Sequence, residues 1–420
     1  MLLRASSQLR RCARLGILVG LAVTSAEIRA DVVADWDRVA TDVLLANPTA
    51  HPFVHLAMTH VAIYDAVNAI DGRHSVYAIR PQSSTSGASQ EAAAAAAGYF
   101  LLGSLFPGQQ GLLDAAYSAS LAAIPDGAAE TRGIAAGKEV AEKIIALRAN
   151  DGRNAAVPYV FGSGPGVFQP TPPGFGPPIT PYLALVTPFA LHSPDQFRAY
   201  GPPDLTSAQY AADFEKVREL GSATSTKRTA SQTESGRFYT EPPFGFWARN
   251  LRAIAVERNT QTAQSARFFA MMHVALADSL IGCWDSKYYY NSWRPVTAIA
   301  AADTDGNPAT VADAAWMPLA TTPPHPEYPA AHGCAAGAIA EAITAFFGTS
   351  KVRMTFTSTV TGSVPHVLTR TDELPKEIID ARVYGGMHFP TSGHHGVELG
   401  KRVSKWMVKN YFRPVRSKQE

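Results

Sequence analysis

Between Ala155 and Asp204 the chain carries twelve prolines. No regular helix or sheet survives that density, because each proline removes a backbone donor and clashes with the turn before it. The regular structure must therefore be built on either side of this segment. A stretch of this length without secondary structure is either functional or a linker. Its aromatic residues, among them Tyr159, Phe161, Phe168, Tyr182, Phe189 and Phe197, are out of place in a solvated linker. We expect the segment to wrap over a helical core and to form part of the entrance to a site.

The flanks read mainly as helix. Pro52–Ile70 places Phe53, Leu56, Val61, Tyr64 and Val67 at mixed three- and four-residue spacings and stops at Asp71-Gly72. The same period runs through 90–105, 128–149, 207–220, 262–284, 331–347 and 396–411. Alternating strands are scarce: Lys351–Thr361 is the one good candidate, paired in a small hairpin with Val364–Thr369. No internal repeat of fixed period is evident. The expected fold class is mainly α, built from packed helix bundles with a site between helices.

The formal charge of +2 is misleading, because the first thirty residues hold five arginines and one acid, Glu27. Without them 32 basic residues face 34 acidic ones, so nothing global attracts nucleic acid or an anionic membrane. Those first residues have the layout of a signal peptide: a basic stretch from Arg4 to Arg14, the apolar run Leu15–Val23, and small residues with cleavage expected after Ala26 or Ala30. The run is too short to span a bilayer, and no later segment is expected to be long and apolar enough to do so. The Arg10-Arg11 pair leaves the twin-arginine route open beside the general one, and a frayed basic terminus has a similar composition. The expectation is a signal peptide over 1–30, then a single domain over 31–420, exported to the periplasm or the extracellular space, with no stable membrane insertion. Beyond Cys12 only Cys283 and Cys334 remain. A domain of this size needs no disulfide, so two buried free thiols are expected.

Three short motifs follow one another within about 100 residues. They are Lys287 and Arg294-Pro295 in KYYYNSWRP, Pro329-Ala330-Ala331-His332 in PPHPEYPAAHG, and Arg382 with His388 in ARVYGGMHF. Arginine offers a planar fork to two oxygens and lysine a mobile point charge. Three such cations suit a tetrahedral oxyanion, each charge-assisted bond contributing roughly 1.5–3 kcal/mol. His332 stands where a helix should begin, so free backbone N–H groups, that of Ala331 included, can join the anion site. His388 can bond the central atom while His332 acts as acid and base from the far side.

The trio resembles the signature of the vanadium-dependent haloperoxidases and the type 2 phosphatidic acid phosphatases, K-x6-R-P, P-S-G-H and S-R-x5-H. The resemblance is strong over Lys287–Gly400 and extends to Ala57–Ile70 and Thr262–Ile299, which are similar to the longer bacterial haloperoxidases. It implies a helical-bundle architecture of the haloperoxidase/acid phosphatase type, with Lys287, Arg294 and Arg382 as the oxyanion clamp. It also implies that His388 coordinates vanadate, or becomes phosphorylated in a phosphatase, and that His332 is the acid–base histidine. His325, seven residues before His332, resembles algal bromoperoxidases in being histidine where fungal chloroperoxidases have phenylalanine. The resemblance thus gives it a place near the oxyanion, whereas composition alone suits an exposed histidine in a Pro-rich turn equally well.

Two departures from the pattern stand out. Ala330 replaces a serine that bonds an oxyanion oxygen, and Ala331 replaces glycine; a lost bond of this kind costs roughly 1–3 kcal/mol of affinity. The activity implied is halide oxidation by hydrogen peroxide with vanadate as cofactor and no haem or flavin. An acid phosphatase acting on a phosphate ester with no cofactor is the alternative, and a non-catalytic anion binder is a third reading. A homodimer is compatible with the sequence. Other groups attract blander readings: His394-His395 a polar loop, and His60 with Asp65 and His273 with Asp278 buried polar pairs.

Overall fold

The computed structural model describes residues 31–48, 51–362 and 364–415, so the expected signal peptide lies outside the described residues. Asp31–Glu420 pack as one compact unit. Thirteen α-helices and one two-stranded hairpin are formed among the described residues. The first group is α1 (Val32–Leu45), α2 (Pro52–Asp71), α3 (Gln90–Leu105), α4 (Gln110–Leu121) and α5 (Ala128–Leu147). Beyond the Pro-rich segment come α6 (Ala208–Gly221), α7 (Ala230–Phe238), α8 (Pro243–Glu257), α9 (Thr262–Tyr290), α10 (Pro295–Ala300), α11 (Ala331–Phe347), α12 (Glu373–Tyr384) and α13 (Pro390–Asn410). The hairpin pairs β1 (Met354–Phe356) with β2 (His366–Leu368), antiparallel, with Thr355 opposite Val367.

Local chemistry sets several of these ends. Asp31, Ser89 and Ser207 accept from the first-turn N–H groups of α1, α3 and α6, and Thr229 with Gln232 closes a capping box on α7. α2 ends at Gly72, whose φ of 71° is the left-handed cap that glycine adopts without strain.

α2 and α9 form the centre. Both are long and apolar enough to cross a membrane, contrary to the sequence expectation, but 83% and 94% of their most apolar windows are buried inside the protein. Here they are core helices: with protein on every side, neither needs a polar face. Each leads a similar bundle. α2 packs on α3 and α3 on α5, while α9 packs on α11 and α11 on α13. The sequence carries the same plan twice, as AMTHVAIYD (57–65) and AMMHVALAD (270–278). This is a repeat without a fixed period, which the search for periodicity passes over.

The repeated residues do the same work in both copies. Asp65 accepts the N–H groups of Tyr77, Ala78 and Ile79, and Asp278 those of Phe189, Ala190 and Leu191. His60 and His273 both reach one oxygen of Asp37 on α1, at 2.9 and 2.8 Å. The histidines and aspartates are therefore buried as expected, but they are not paired with each other. Small residues let the second helix pair of each bundle close up. A Cβ on Gly137 of α5 would sit 2.4 Å from the Ala93 carbonyl, and one on Gly400 of α13 would sit 2.0 Å from that of Cys334.

The Pro-rich segment forms no regular element beyond a short 3-10 turn, Pro181–Leu185. It is pinned to the second bundle by Asp278, by the Arg198–Asp285 ion pair at 2.7 Å, and by Phe168 N–H on the Asn291 carbonyl. α13 begins at Pro390, earlier than the apolar period suggests. His394 and His395 thus lie on this helix rather than in a loop, with the Tyr328 hydroxyl 2.6 Å from His395 Nδ1.

Candidate active site

The three motifs meet at one place. Lys287 lies in the last turn of α9, Arg294 is the N-cap of α10, Arg382 lies in the last turn of α12, Ala331 and His332 open α11, and His388 precedes α13. Three helices therefore begin at the site, and their unsatisfied N–H groups and dipoles favour negative charge. The N-cap of α11 is Ala330, with no side-chain cap.

Lys287, Arg294 and Arg382 are at most 2% exposed, yet among the described residues none pairs with a carboxylate. Lys287 Nζ donates to the carbonyls of Pro326 and Glu327, both at 2.9 Å. Arg294 donates through Nε to the His325 carbonyl at 2.8 Å and through Nη1 to that of Met387 at 2.9 Å. Arg382 donates to the Tyr239 carbonyl at 2.9 Å, and its Nε–H is buried without an acceptor among the described residues. Burial lowers the pKa of all three cations, that of Arg294 to about 10 and that of Arg382 to about 9. An isolated buried charge costs several kcal/mol or more, so the cluster is built to receive an anion.

Sequence reading missed Glu327, which fixes the chemistry of His388. Its Oε1 lies 2.9 Å from His388 Nδ1 and accepts the Phe389 N–H at 3.0 Å. Arg294 Nη1 donates to His388 Nε2 at 3.1 Å. Arginine cannot accept, so Nδ1 carries the ring proton and Nε2 presents its lone pair. Burial and then the three cations hold His388 well below the usual histidine pKa, which keeps it neutral. Burial also raises Glu327, opposed by Lys287 and Arg294. The signal for Glu327 was faint: a lone acid in PPHPEYPAAHG, five residues before His332.

His325 is buried rather than exposed, accepts from Arg294 Nη2 at Nδ1 (3.0 Å), and lies 5.1 Å from the Trp284 ring. His332 makes no hydrogen bond through its ring among the described residues, lines the cavity above the site, and is held neutral by burial and the same cations. Cys283 and Cys334 are free and buried behind it, as expected.

That cavity, of about 300 Å³, is floored by His325, His332, Arg382 and His388. Ile179, Thr180, Tyr182 and Leu183 of the Pro-rich segment form part of its wall, so this segment does shape the entrance. Asp37, His60 and His273 bring three ligand-type atoms together elsewhere. Arg252 bonds the other oxygen of Asp37 at 2.6 Å, and His60 Nδ1 is buried with no partner among the described residues. Ligating histidines normally bond their second nitrogen, so this trio is better explained as a hydrogen-bonded junction of α1, α2 and α9.

The chain superposes on a bacterial vanadium-dependent iodoperoxidase with a TM-score of 0.78, at 23% identity, over 92% of this chain and 98% of that one. The fold is that of the vanadium haloperoxidases. A holo-type bacterial vanadium-dependent chloroperoxidase gives 0.67 at 17% identity, covering 89% and 95% of the two chains. Residues 267–417, which contain all three motifs, match the family model of the VCPO second helical-bundle domain. Vanadium chloroperoxidase of Curvularia inaequalis is 28% identical over 181 residues, 35% of this chain. That match spans only 29% of the curated relative's length.

Proposed function

We propose that the protein is a vanadium-dependent haloperoxidase, exported from the cell, which oxidises halide with hydrogen peroxide. The observation that carries this reading is the set of three buried cations, without carboxylate partners among the described residues, around the unprotonated Nε2 of His388. The donor set fits vanadate. Nε2 of His388 would bond the central atom, Lys287, Arg294 and Arg382, whose Nε–H has no acceptor among the described residues, would hold oxygens, and the N–H of Ala331 would join them. When bound, vanadate supplies a Lewis-acidic centre at which peroxide becomes reactive toward halide.

The protein's own groups do the rest. Glu327 keeps the ring proton of His388 on Nδ1, so that Nε2 stays available. His332, neutral and facing the cavity, takes a proton from incoming peroxide at a ring nitrogen and returns it to the departing oxygen. Lys287, desolvated and fixed by two carbonyls, polarises the oxygens it holds. The apolar wall excludes water and strengthens each of these interactions. Export rests on the composition of residues 1–30.

A phosphatase is the alternative, because the Glu327–His388 pair is equally suited to attack phosphorus through Nε2, with His332 protonating the leaving group. Purified protein assayed for bromination and iodination of a dye with vanadate and peroxide, and for hydrolysis of an aryl phosphate without vanadate, separates the two. Halogenation that His388→Ala abolishes is the expected result; hydrolysis alone overturns the proposal.

A further inference from the structure

The cavity above the oxyanion site is larger and more apolar than peroxide and halide require. Its wall is made by Leu183, Trp247, Leu280 and Trp284, with Phe53 and Ile179 toward the mouth. Several of the charged and hydrogen-bonding groups in that wall are committed elsewhere. Glu241 is held by both terminal nitrogens of Arg249 at 2.7 Å, the Tyr239 hydroxyl donates to Glu377, and His51 Nε2 lies against Asn154. Below the mouth, the charge not already paired lies at the floor, where on the haloperoxidase reading the cations would hold an anion. The indole N–H of Trp284 is buried with no acceptor among the described residues, and Thr180 and Tyr182 bring hydroxyls to the lining.

We propose that this chamber binds an uncharged, flat organic molecule of one or two aromatic rings bearing a single hydroxyl or carbonyl oxygen, held directly above the oxyanion site. The volume of about 300 Å³ admits such a molecule. The indole faces offer stacking surfaces, and the hydroxyl-bearing Thr180 and Tyr182 of the lining offer its oxygen a donor. A charged molecule would leave its solvent for a wall with no opposite charge free to meet it. The role of the bound ring rests on the haloperoxidase reading: it is the acceptor, halogenated where it lies rather than by hypohalous acid released to solvent. A ring C–H bond breaks and a carbon–halogen bond forms. Halide and ring together give two electrons to peroxide, whose O–O bond breaks. The ring proton and one from solvent complete two molecules of water.

The test uses the full chain with 2-naphthol as probe and 4-hydroxybenzenesulfonate as its charged counterpart. With the oxyanion site saturated by phosphate and no peroxide present, calorimetry should show saturable binding of 2-naphthol and none of the sulfonate. Leu183→Glu should weaken binding at least ten-fold. Ile179→Glu, half-exposed at the mouth and so without risk to folding, should weaken it in the same direction by a smaller factor. With vanadate, peroxide and iodide, the enzyme should favour 2-naphthol over the sulfonate at least ten-fold more than free hypoiodous acid does. Absence of saturable binding, or binding indifferent to both variants, overturns the proposal. A product ratio equal to that of free hypoiodous acid overturns the acceptor role. Saturable binding with neither phenol halogenated supports the chamber and overturns the haloperoxidase reading instead.

Discussion

Glu327 holds His388 in one tautomer, and that single hydrogen bond of 2.9 Å decides which nitrogen meets the anion. Glu327→Gln replaces an acceptor-only group by an amide that can present its NH₂ to Nδ1. We expect vanadate or phosphate affinity to fall about 10- to 100-fold, the range for lost second ligand contacts, measured by calorimetric titration on a protein whose helicity is unchanged. Ala330→Ser tests the departure from the family pattern. A serine at this N-cap can accept from the first turn of α11 and still donate to the anion, so it should stabilise the fold by about 1 kcal/mol and tighten anion binding. A shift of melting temperature and an anion titration report the two effects separately; no change in either would mean the hydroxyl has no room there. The histidines give a third expectation. His332 and His388 are both held below the usual histidine pKa of 6.5, so they stay neutral as pH falls through that value. The acid limb of kcat/KM against pH should therefore lie below 6.5.

At the scale of helices, the site depends on how closely α11 and α13 pack. His332 opens one and His388 precedes the other, so the distance between their N-termini sets the distance between the proposed proton donor and the proposed ligand. Gly337 and Gly400 make that approach: a Cβ on either would lie 2.3 or 2.0 Å from a carbonyl oxygen of the facing helix. Gly400→Ala should destabilise by about 1–3 kcal/mol, as overpacking does, and lower activity further by spreading the two termini. Chemical denaturation and turnover measured on the same preparation check both. The corresponding pair α3 and α5 uses Gly137 in the same way but has no clamp at its end.

For the whole molecule, Asp37 joins the two copies of the repeated plan by accepting from His60, His273 and Arg252. Burial lowers the pKa of His60 to about 4. The folded state therefore leaves it neutral while the unfolded chain protonates it near 6.5, so the unfolded state binds more protons in this window. Stability should fall as pH drops from 6.5 to 4, by about 1.4 kcal/mol per pH unit for each such group. His55, lowered to about 3, acts in the same direction. Unfolding midpoints measured across this range, with His60→Gln flattening the slope, check the assignment. Asp37, whose pKa is depressed, adds a further loss only at more acid pH.

Much of this was legible in the chain itself. The periodic helices 52–70, 90–105 and 331–347 fall within one residue of their structural limits, because runs of apolar residues and strong start and stop signals act locally. Lys287, Arg294, Arg382, His332 and His388 were likewise visible as fixed spacings within short segments. Shorter or more polar helices such as α7, α10 and α12 were missed, since they are held by tertiary packing rather than by their own pattern. Three things had to wait for the folded chain. Glu327 is marked by no spacing and acquires its role only when the turn before α11 meets the start of α13. The burial of His325 depends on Arg294, 31 residues earlier. The shared junction at Asp37 brings together residues up to 236 positions apart. Local sequence specifies which groups exist and which face of an element they occupy; only long-range packing determines which of them lose water together, and so which charges must find a ligand.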